Sequence, residues 1–241
     1  MKSLLSKLNK AIKDYALIDD GDKILIGLSG GKDSLALVEL LGERAKVFAP
    51  RFSLVAAHIS VENIPYQSDL TYLSDFAEAH GVPFVHQVTS FDATSDTRKS
   101  PCFLCSWNRR KALFELAKTH GCNKIAFGHH QDDMLETLLM NQIFQGSYGT
   151  MPPKLQMDKF EMTIIRPLAL IRESALAELA EERGYHKQLK NCPFEKESHR
   201  PQVRQILEQM EQLNPHAASS LWNAMSHVQP TYLPPPIESR K

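Results

Sequence analysis

The stretch Lys23-Ile24-Leu25-Ile26-Gly27-Leu28-Ser29-Gly30-Gly31-Lys32-Asp33-Ser34-Leu35-Ala36-Leu37-Val38 decides the fold. Residues 23–28 are a short apolar run and read as a buried strand; from Leu35 an apolar helix follows. Between them lies Ser29-Gly30-Gly31-Lys32-Asp33-Ser34. Glycines let a backbone approach an anion closely, and such a turn aims N–H groups at it. The following helix presents its positive end to the same place. Ser29 and Ser34 add hydroxyl donors and Lys32 a charge. The spacing is not G-x-x-x-x-G-K-[ST], so this phosphate cradle is of another kind. A carboxylate inside such a cradle repels its ligand unless a cation lies between them. Asp33 therefore implies Mg²⁺ bridging the carboxylate and phosphate oxygens. The blander alternatives are a capped glycine turn and, for Asp33, a complement to the helix dipole.

Outward from this loop the chain alternates. Residues 53–59, 82–88, 124–128 and 162–166 read as strands, and 67–80, 107–120 and 132–144 as helices, two of them stopped by Gly81 and Gly121. Short strands alternating with helices imply an α/β fold with a parallel sheet and helices on both faces. Ahead of the first strand, Leu4, Leu5, Leu8, Ile12 and Tyr15 recur at helical spacing. From about residue 168 the pattern is helical: 173–183 stopped by Gly184, 201–213, and 216–227. The expected division is an α/β domain over 1–168 and a helical appendage over 169–241, with an extended tail at Pro234, Pro235 and Pro236.

The 241 residues are 42% hydrophobic and 23% charged, with Lys+Arg and Asp+Glu both at 28, which excludes a disordered or collagen-like chain. No apolar run reaches the roughly eighteen residues that a membrane span needs. Lys2, Lys7, Lys10 and Lys13 interrupt the apolar stretch that a signal peptide would show, so a cytoplasmic location is expected. Four cysteines are too few for a disulfide scaffold. Cys102 and Cys105 form a C-x-x-C, which points to metal or redox chemistry. Cys122 precedes the fourth strand, whereas ligands of open parallel sheets gather at the carboxyl ends of strands. Six residues of strand, roughly 20 Å, separate it from Gly128, so it reads as a small buried residue. His58, within the second strand, reads as a core histidine. His129, His130, Asp132 and Asp133 admit a metal cluster, or a packed histidine and a helix cap at Asp132.

The phosphate loop looks like the PP-loop of the N-type ATP pyrophosphatase superfamily, whose members cleave ATP between the α and β phosphates and adenylate a substrate. Further motifs follow in order: Pro101-Cys102-Phe103-Leu104-Cys105 with Ser106-Trp107-Asn108-Arg109-Arg110; Gly128-His129-His130-Gln131-Asp132-Asp133-Met134-Leu135-Glu136-Thr137; Met151-Pro152-Pro153-Lys154-Leu155; Ile165-Arg166-Pro167-Leu168-Ala169; and Cys192. The ordered set closely resembles the tRNA 2-thiocytidine biosynthesis family (TtcA type), from about Gly21 to about Pro230.

That resemblance implies an adenine nucleotide alpha hydrolase-like, three-layer α/β/α fold. It implies an ATP-dependent tRNA sulfurtransferase that replaces O2 of an anticodon-loop cytidine, cytidine 32, with sulfur. It implies ATP on Ser29, Gly30, Gly31, Lys32, Asp33 and Ser34, adenosine touched near Ser60, backbone approach at Gly128, and Asp133 and Glu136 near the Mg²⁺–phosphate end. It implies a [4Fe–4S] cluster on Cys102, Cys105 and Cys192, leaving one iron open to hold sulfide. Lys32, Asp33 and these three cysteines are the expected catalytic set. Spacing alone leaves zinc open, with His186 or His199 as fourth ligand, and a redox dithiol as a third choice. The chain departs from the family at Cys192-Pro193-Phe194-Glu195, where Glu195 stands in place of a second cysteine. The expected partners are tRNA, a cysteine desulfurase as sulfur source, and a second copy in a homodimer.

Charge placement agrees with an RNA. Over 98–118, Arg98, Lys99, Arg109, Arg110, Lys111 and Lys118 face only Glu115, a net of +5. Over 186–204, Lys187, Lys190, Lys196, Arg200 and Arg204 face Glu195 and Glu197, a net of +3. Both segments carry proposed cluster cysteines, and Trp107 or Phe103 offers a ring on which a flipped base can stack. Two other classes share parts of the pattern: another adenylating enzyme on the same loop, such as a tRNA-lysidine synthetase, and a zinc-stabilised, ATP-sensing RNA-binding module.

Overall fold

A computed structural model describes residues 1–62, 64, 68–92, 100–158, 161–186, 188 and 199–234. The chain begins with α1 (Lys2–Asp14), β1 (Lys23–Gly27), α2 (Lys32–Ala45), β2 (Ser53–Val61), α3 (Leu70–Ala79) and β3 (Phe84–Thr89). It continues with α4 (Pro101–Thr119), β4 (Lys124–Ala126), α5 (Gln131–Gln145), β5 (Lys154–Gln156) and β6 (Thr163–Ile165). Three helices follow: α6 (Glu173–Arg183), α7 (Arg200–Leu213) and α8 (Ala217–Ala224). The six strands form one sheet in the order β3-β2-β1-β4-β6-β5. All pairs are parallel except β5 with β6.

Alternation along the strands divides the core into two layers. Ile24, Ile26, Leu54, Ala56, Ala126 and Ile165 pack with residues of α1, α2, α3 and α6. Leu25, Val55, Ala57, Ile125 and Ile164 pack with Phe114 and Ala117 of α4. Helices thus cover both faces, the three-layer arrangement expected from near-continuous apolar strands. Leu35, Ala36, Leu37, Val38, Leu40 and Leu41 of α2 are all buried, because α2 touches β1 and β2 as well as α1, α3 and α6. After β1 the chain passes to β2 on one side; β4, on its other side, is reached through α4 on the opposite face. The carboxyl ends of β1 and β4 are therefore a topological switch point, where open α/β sheets bind ligands.

Several boundaries differ from the sequence reading. The helix expected at 107 starts at Pro101: Ser100 is its N-cap, accepting from the Phe103 N–H at 3.3 Å, and Pro101 occupies the first turn. The C-x-x-C therefore lies inside the helix rather than before it. The helix expected at 67 starts at Leu70, where Asp69 caps it by accepting from the Tyr72 N–H at 2.9 Å. β2 extends to Val61, so Ser60 lies within the strand. β5 was not expected: Lys154, Leu155 and Gln156 are all exposed and show no alternation.

Packing groups the chain differently from a cut at residue 168. One compact unit is Met1–Met134 with Pro152–Ser198, and the other is Leu135–Met151 with His199–Lys241. α6 belongs to the first unit because Leu176 and Leu179 join the core around α2. Glu39 of α2 accepts from Arg183 Nε at 3.0 Å and from the Tyr185 hydroxyl at 2.6 Å. The second unit has its own core of Leu135, Leu139, Val203, Leu207 and Ala218. Among the described residues no helix is long and apolar enough to cross a membrane. Cys192, Glu195 and Pro235–Pro236 of the tail lie outside the described residues.

Candidate functional site

The expected phosphate loop is the β1–α2 turn. Gly30 has φ +81°, a left-handed conformation costly for any residue with a β-carbon. Gly31 is the N-cap of α2 and has no side chain with which to cap it, so the helix start presents its first amides to an anion. The loop is braced internally. Ser34 Oγ donates to the Gly31 carbonyl at 2.9 Å and lies 3.2 Å from Ser29 Oγ.

A cavity of about 440 Å³ opens beside this turn, within the usual range for small-molecule sites. Gly27, Leu28, Ser29, Gly31, Asp33 and Ser34 form one wall, and Ala57 and Ile59 of β2 another. Ser106, Arg109, Arg110 and Leu113 of α4 face them; Phe127, Gly128, His129 and Asp133 close the β4–α5 end. The lining thus includes two arginines and two aspartates, a residue set suited to a polyphosphate with a cation. A β-carbon on Gly128 would meet the Asp33 carbonyl group at 3.0 Å. The close approach that Gly128 permits is therefore to the phosphate loop's own backbone.

Of the expected nucleotide residues, Ser29, Gly31, Asp33, Ser34, Gly128 and Asp133 line this cavity, and Gly30 makes the turn. Lys32 does not line it: its ammonium lies 3.0 Å from Glu173 Oε1 and 3.1 Å from Asp33 Oδ1. These carboxylates outweigh burial and raise its pKa, so it stays charged. Ser60 does not line it either; its hydroxyl is 2.8 Å from His86 Nε2. Ala57 and Ile59 line the cavity, and alternation turns Ser60 to the other face of the sheet. Glu136 is buried in the second unit, where Arg204 Nε donates to it at 2.8 Å and Arg200 lies 3.3 Å away.

The Gly128–Thr137 segment serves the fold as much as the site. Asp133 accepts from the His130 N–H at 3.1 Å, while its own N–H lies 3.4 Å from His130 Nδ1. The pair closes the start of α5 as a capping box does. Asp132 does not cap α5; it accepts from Arg172 Nε at 2.8 Å and the Glu173 N–H at 2.6 Å, and so caps α6. Among the described residues no group of three or more His, Cys, Asp or Glu is arranged to hold a metal ion.

Cys102 is exposed and Cys105 half-buried beside Ile64, Phe91 and Leu104. Their i, i+3 spacing on the first turns of α4 puts both thiols on neighbouring parts of one helix face. Two adjacent thiols at a positive helix end fit an iron–sulfur cluster or zinc. His186 stacks on Tyr72 at 4.5 Å between ring centroids, and in the second unit His199 stacks on Phe144 at 4.8 Å. Gln188, four residues before Cys192, packs on Gly30 and accepts from the Asp69 N–H at 2.7 Å. Cys122 is buried in the α4 core, where burial pushes its thiol pKa up.

By sequence Arg109 and Arg110 read only as surface charge for RNA. The signal was present: Ser106, Arg109, Arg110 and Leu113 share one helical stripe, the one that walls the cavity. Arg166 is buried and donates to the Pro152 carbonyl at 2.6 Å. Burial first, and Arg110 second, lowers its pKa to about 10. Trp107 is half-exposed, with the Lys111 ammonium 5.9 Å from its ring centroid.

Comparison with known proteins places this geometry. A family model described as a PP-loop domain matches residues 2–210. The tRNA-cytidine(32) 2-sulfurtransferase of Pelobacter propionicus is 35% identical over 238 residues, covering 96% of this chain and 88% of the relative. That of Chromohalobacter salexigens is 36% identical over 239 residues, covering 96% and 83%. Among solved structures, the U34-tRNA thiolase NcsA from Methanococcus maripaludis with its [4Fe-4S] cluster is similar with a TM-score of 0.75. It is 26% identical, over 95% of this chain and 79% of that one. The NH3-dependent NAD synthetase of Campylobacter jejuni shares the fold, at 14% identity and a TM-score of 0.50, over 98% and 96% of the two chains.

Proposed function

The chain belongs to the tRNA-cytidine(32) 2-sulfurtransferases of the PP-loop family, and from that premise we propose how its residues carry out ATP-dependent tRNA thiolation. The substrate is a tRNA whose cytidine 32 exchanges the oxygen on C2 for sulfur. ATP lies in the cavity with its phosphates on the β1–α2 turn, Gly30–Ser34. The cytidine O2 attacks the α phosphorus and pyrophosphate leaves, turning a poor leaving group into AMP. Sulfide then attacks C2, and AMP departs.

The loop amides and the guanidinium groups of Arg109 and Arg110 take up the charge that develops on the phosphates, and Lys32, at the start of α2 beside the cavity, binds the phosphate tail of ATP. Ser29 and Ser34 hold the turn's shape. Asp33 and Asp133, both on the cavity wall, are the carboxylates that would hold Mg²⁺, which neutralises phosphate charge when bound. Cys102, Cys105 and Cys192 would hold a [4Fe–4S] cluster, which supplies an iron with an open position for sulfide. The observation that carries this reading is the double use of α4: its first turns bear the C-x-x-C and its next turns wall the nucleotide cavity. Trp107 with Lys111 offers a stacking platform with positive charge for an unstacked base. A cysteine desulfurase as sulfur source, a homodimer and a cytoplasmic location complete the reading.

The test is an anaerobic assay with reconstituted protein, ATP, Mg²⁺, sulfide and unmodified tRNA. The expected products are 2-thiocytidine, AMP and pyrophosphate in equal amounts. Asp33→Asn should abolish all three while the cluster spectrum stays unchanged. Thiolation that persists in that variant would remove Asp33 from the mechanism.

A further inference from the structure

We infer that Glu173 is a positioning residue for the phosphate-loop lysine, and that Asp132 fixes Glu173 in place. Resting on the proposed role of Lys32 toward ATP phosphates, this deepens that reading by two residues that no motif of the loop contains.

Lys32 opens α2, and its ammonium is held from two sides, by Asp33 Oδ1 at 3.1 Å and Glu173 Oε1 at 3.0 Å. Asp33 is the next residue, so it cannot by itself choose a direction for a side chain with four rotatable bonds. Glu173 lies 141 residues away and enters from the start of α6. An ammonium has three hydrogens. Two carboxylates engage two of them, which leaves one for a phosphate oxygen. A lysine held in this way has already lost the rotamer freedom it would otherwise lose when ATP binds.

Glu173 is itself anchored. It is the first residue of α6, whose N-cap Arg172 makes no side-chain cap. The missing cap comes from α5. Asp132, buried, accepts the Glu173 N–H at 2.6 Å with one oxygen and Arg172 Nε at 2.8 Å with the other. The adjacent carboxylates of the Gly128–Thr137 motif therefore divide the work. Asp133 faces the cavity, and Asp132 turns away to fix the helix end that carries Glu173. This explains why two aspartates stand together where a single cavity carboxylate would serve the nucleotide.

The test uses the full-length, cluster-loaded protein under anaerobic conditions. It measures the Kd for a non-hydrolysable ATP analogue, the KM for ATP with kcat, and tRNA affinity. Glu173→Ala should raise the ATP Kd and KM about tenfold, with kcat within about twofold and tRNA binding unchanged. Glu173→Gln keeps an acceptor oxygen and should recover most of the loss. Asp132→Ala should raise the same constants, and combining it with Glu173→Ala should add little. Glu173→Ala binding ATP as tightly as the parent, or more tightly, would overturn the inference, as would Glu173→Gln behaving no better than Glu173→Ala. Lys32→Ala separates the two levels. If it leaves the ATP Kd unchanged, the role of Lys32 itself falls and this inference with it. If it weakens ATP and Glu173→Ala does not, only the inference falls.

Discussion

Gly128 and Asp33 are in backbone contact: a β-carbon on Gly128 would lie 3.0 Å from both the carbonyl carbon and the carbonyl oxygen of Asp33, and 3.1 Å from the Ser34 nitrogen. The exit of β4 is thereby pressed against the first turn of α2, and the cavity floor is backbone on both sides. Backbone atoms cannot swing aside as a side-chain end can. Gly128→Ala should cost about 1–3 kcal/mol of stability, as overpacking does, and weaken ATP binding at least about tenfold. Gly149→Ala is the control, because an added β-carbon there meets nothing within 4 Å. Thermal melts and ATP titration of both variants check this; equal effects would contradict it.

His58 gives a pH signature. It is fully buried in β2, with Nδ1 2.7 Å from the Leu28 carbonyl, and that contact fixes the neutral tautomer that donates from Nδ1. Burial lowers its pKa from 6.5 to about 4, with Arg109 adding to the effect. The unfolded chain therefore takes up this proton first as pH falls. Above pH 6.5 the group has no effect on stability. Between pH 6.5 and 4 it destabilises progressively, by at most about 3 kcal/mol. Urea unfolding at pH 7.5, 6 and 5 should show a steeper loss for the parent than for His58→Gln. Identical slopes would rule the assignment out.

Cys122 separates burial from ligation. It packs among Phe114, Ala117 and Ile125, at the amino end of β4. Cys122→Ala should lose about 1 kcal/mol by leaving a small cavity and retain the parent's iron and sulfide content. Cys102→Ser, Cys105→Ser and Cys192→Ser should each lose the iron–sulfur absorbance. Anaerobic ultraviolet–visible spectra with iron analysis decide it, and iron lost from Cys122→Ala would reverse the reading.

The legible part of this molecule is the part written in local pattern. β1, the phosphate loop and α2 follow from an apolar run, two glycines and an apolar helix. α6 ends where Gly184, with φ +62°, takes the left-handed conformation, and Gly184 announces that stop in the sequence. α4 was read six residues short because its apolar stripe begins late. Its true start depends on Ser100 and Pro101, a cap followed by a first-turn proline. β5 has no periodicity at all and exists because β6 offers an edge to pair with.

By itself the sequence determined the fold class, the glycine turn between β1 and α2, the C-x-x-C and the family that these motifs mark. Each element and motif depends on residues within a few positions of one another, where bond geometry and side-chain period act directly, and their order along the chain marks the fold class and the family. Only the tertiary structure decided which charges meet. It turned Arg109 and Arg110 into the cavity, drew Lys32 to Glu173 and sent Asp132 to cap α6. Electrostatic and hydrogen-bond partners are chosen by distance in space, and 141 residues of chain between Lys32 and Glu173 carry no trace of the 3.0 Å that separates them.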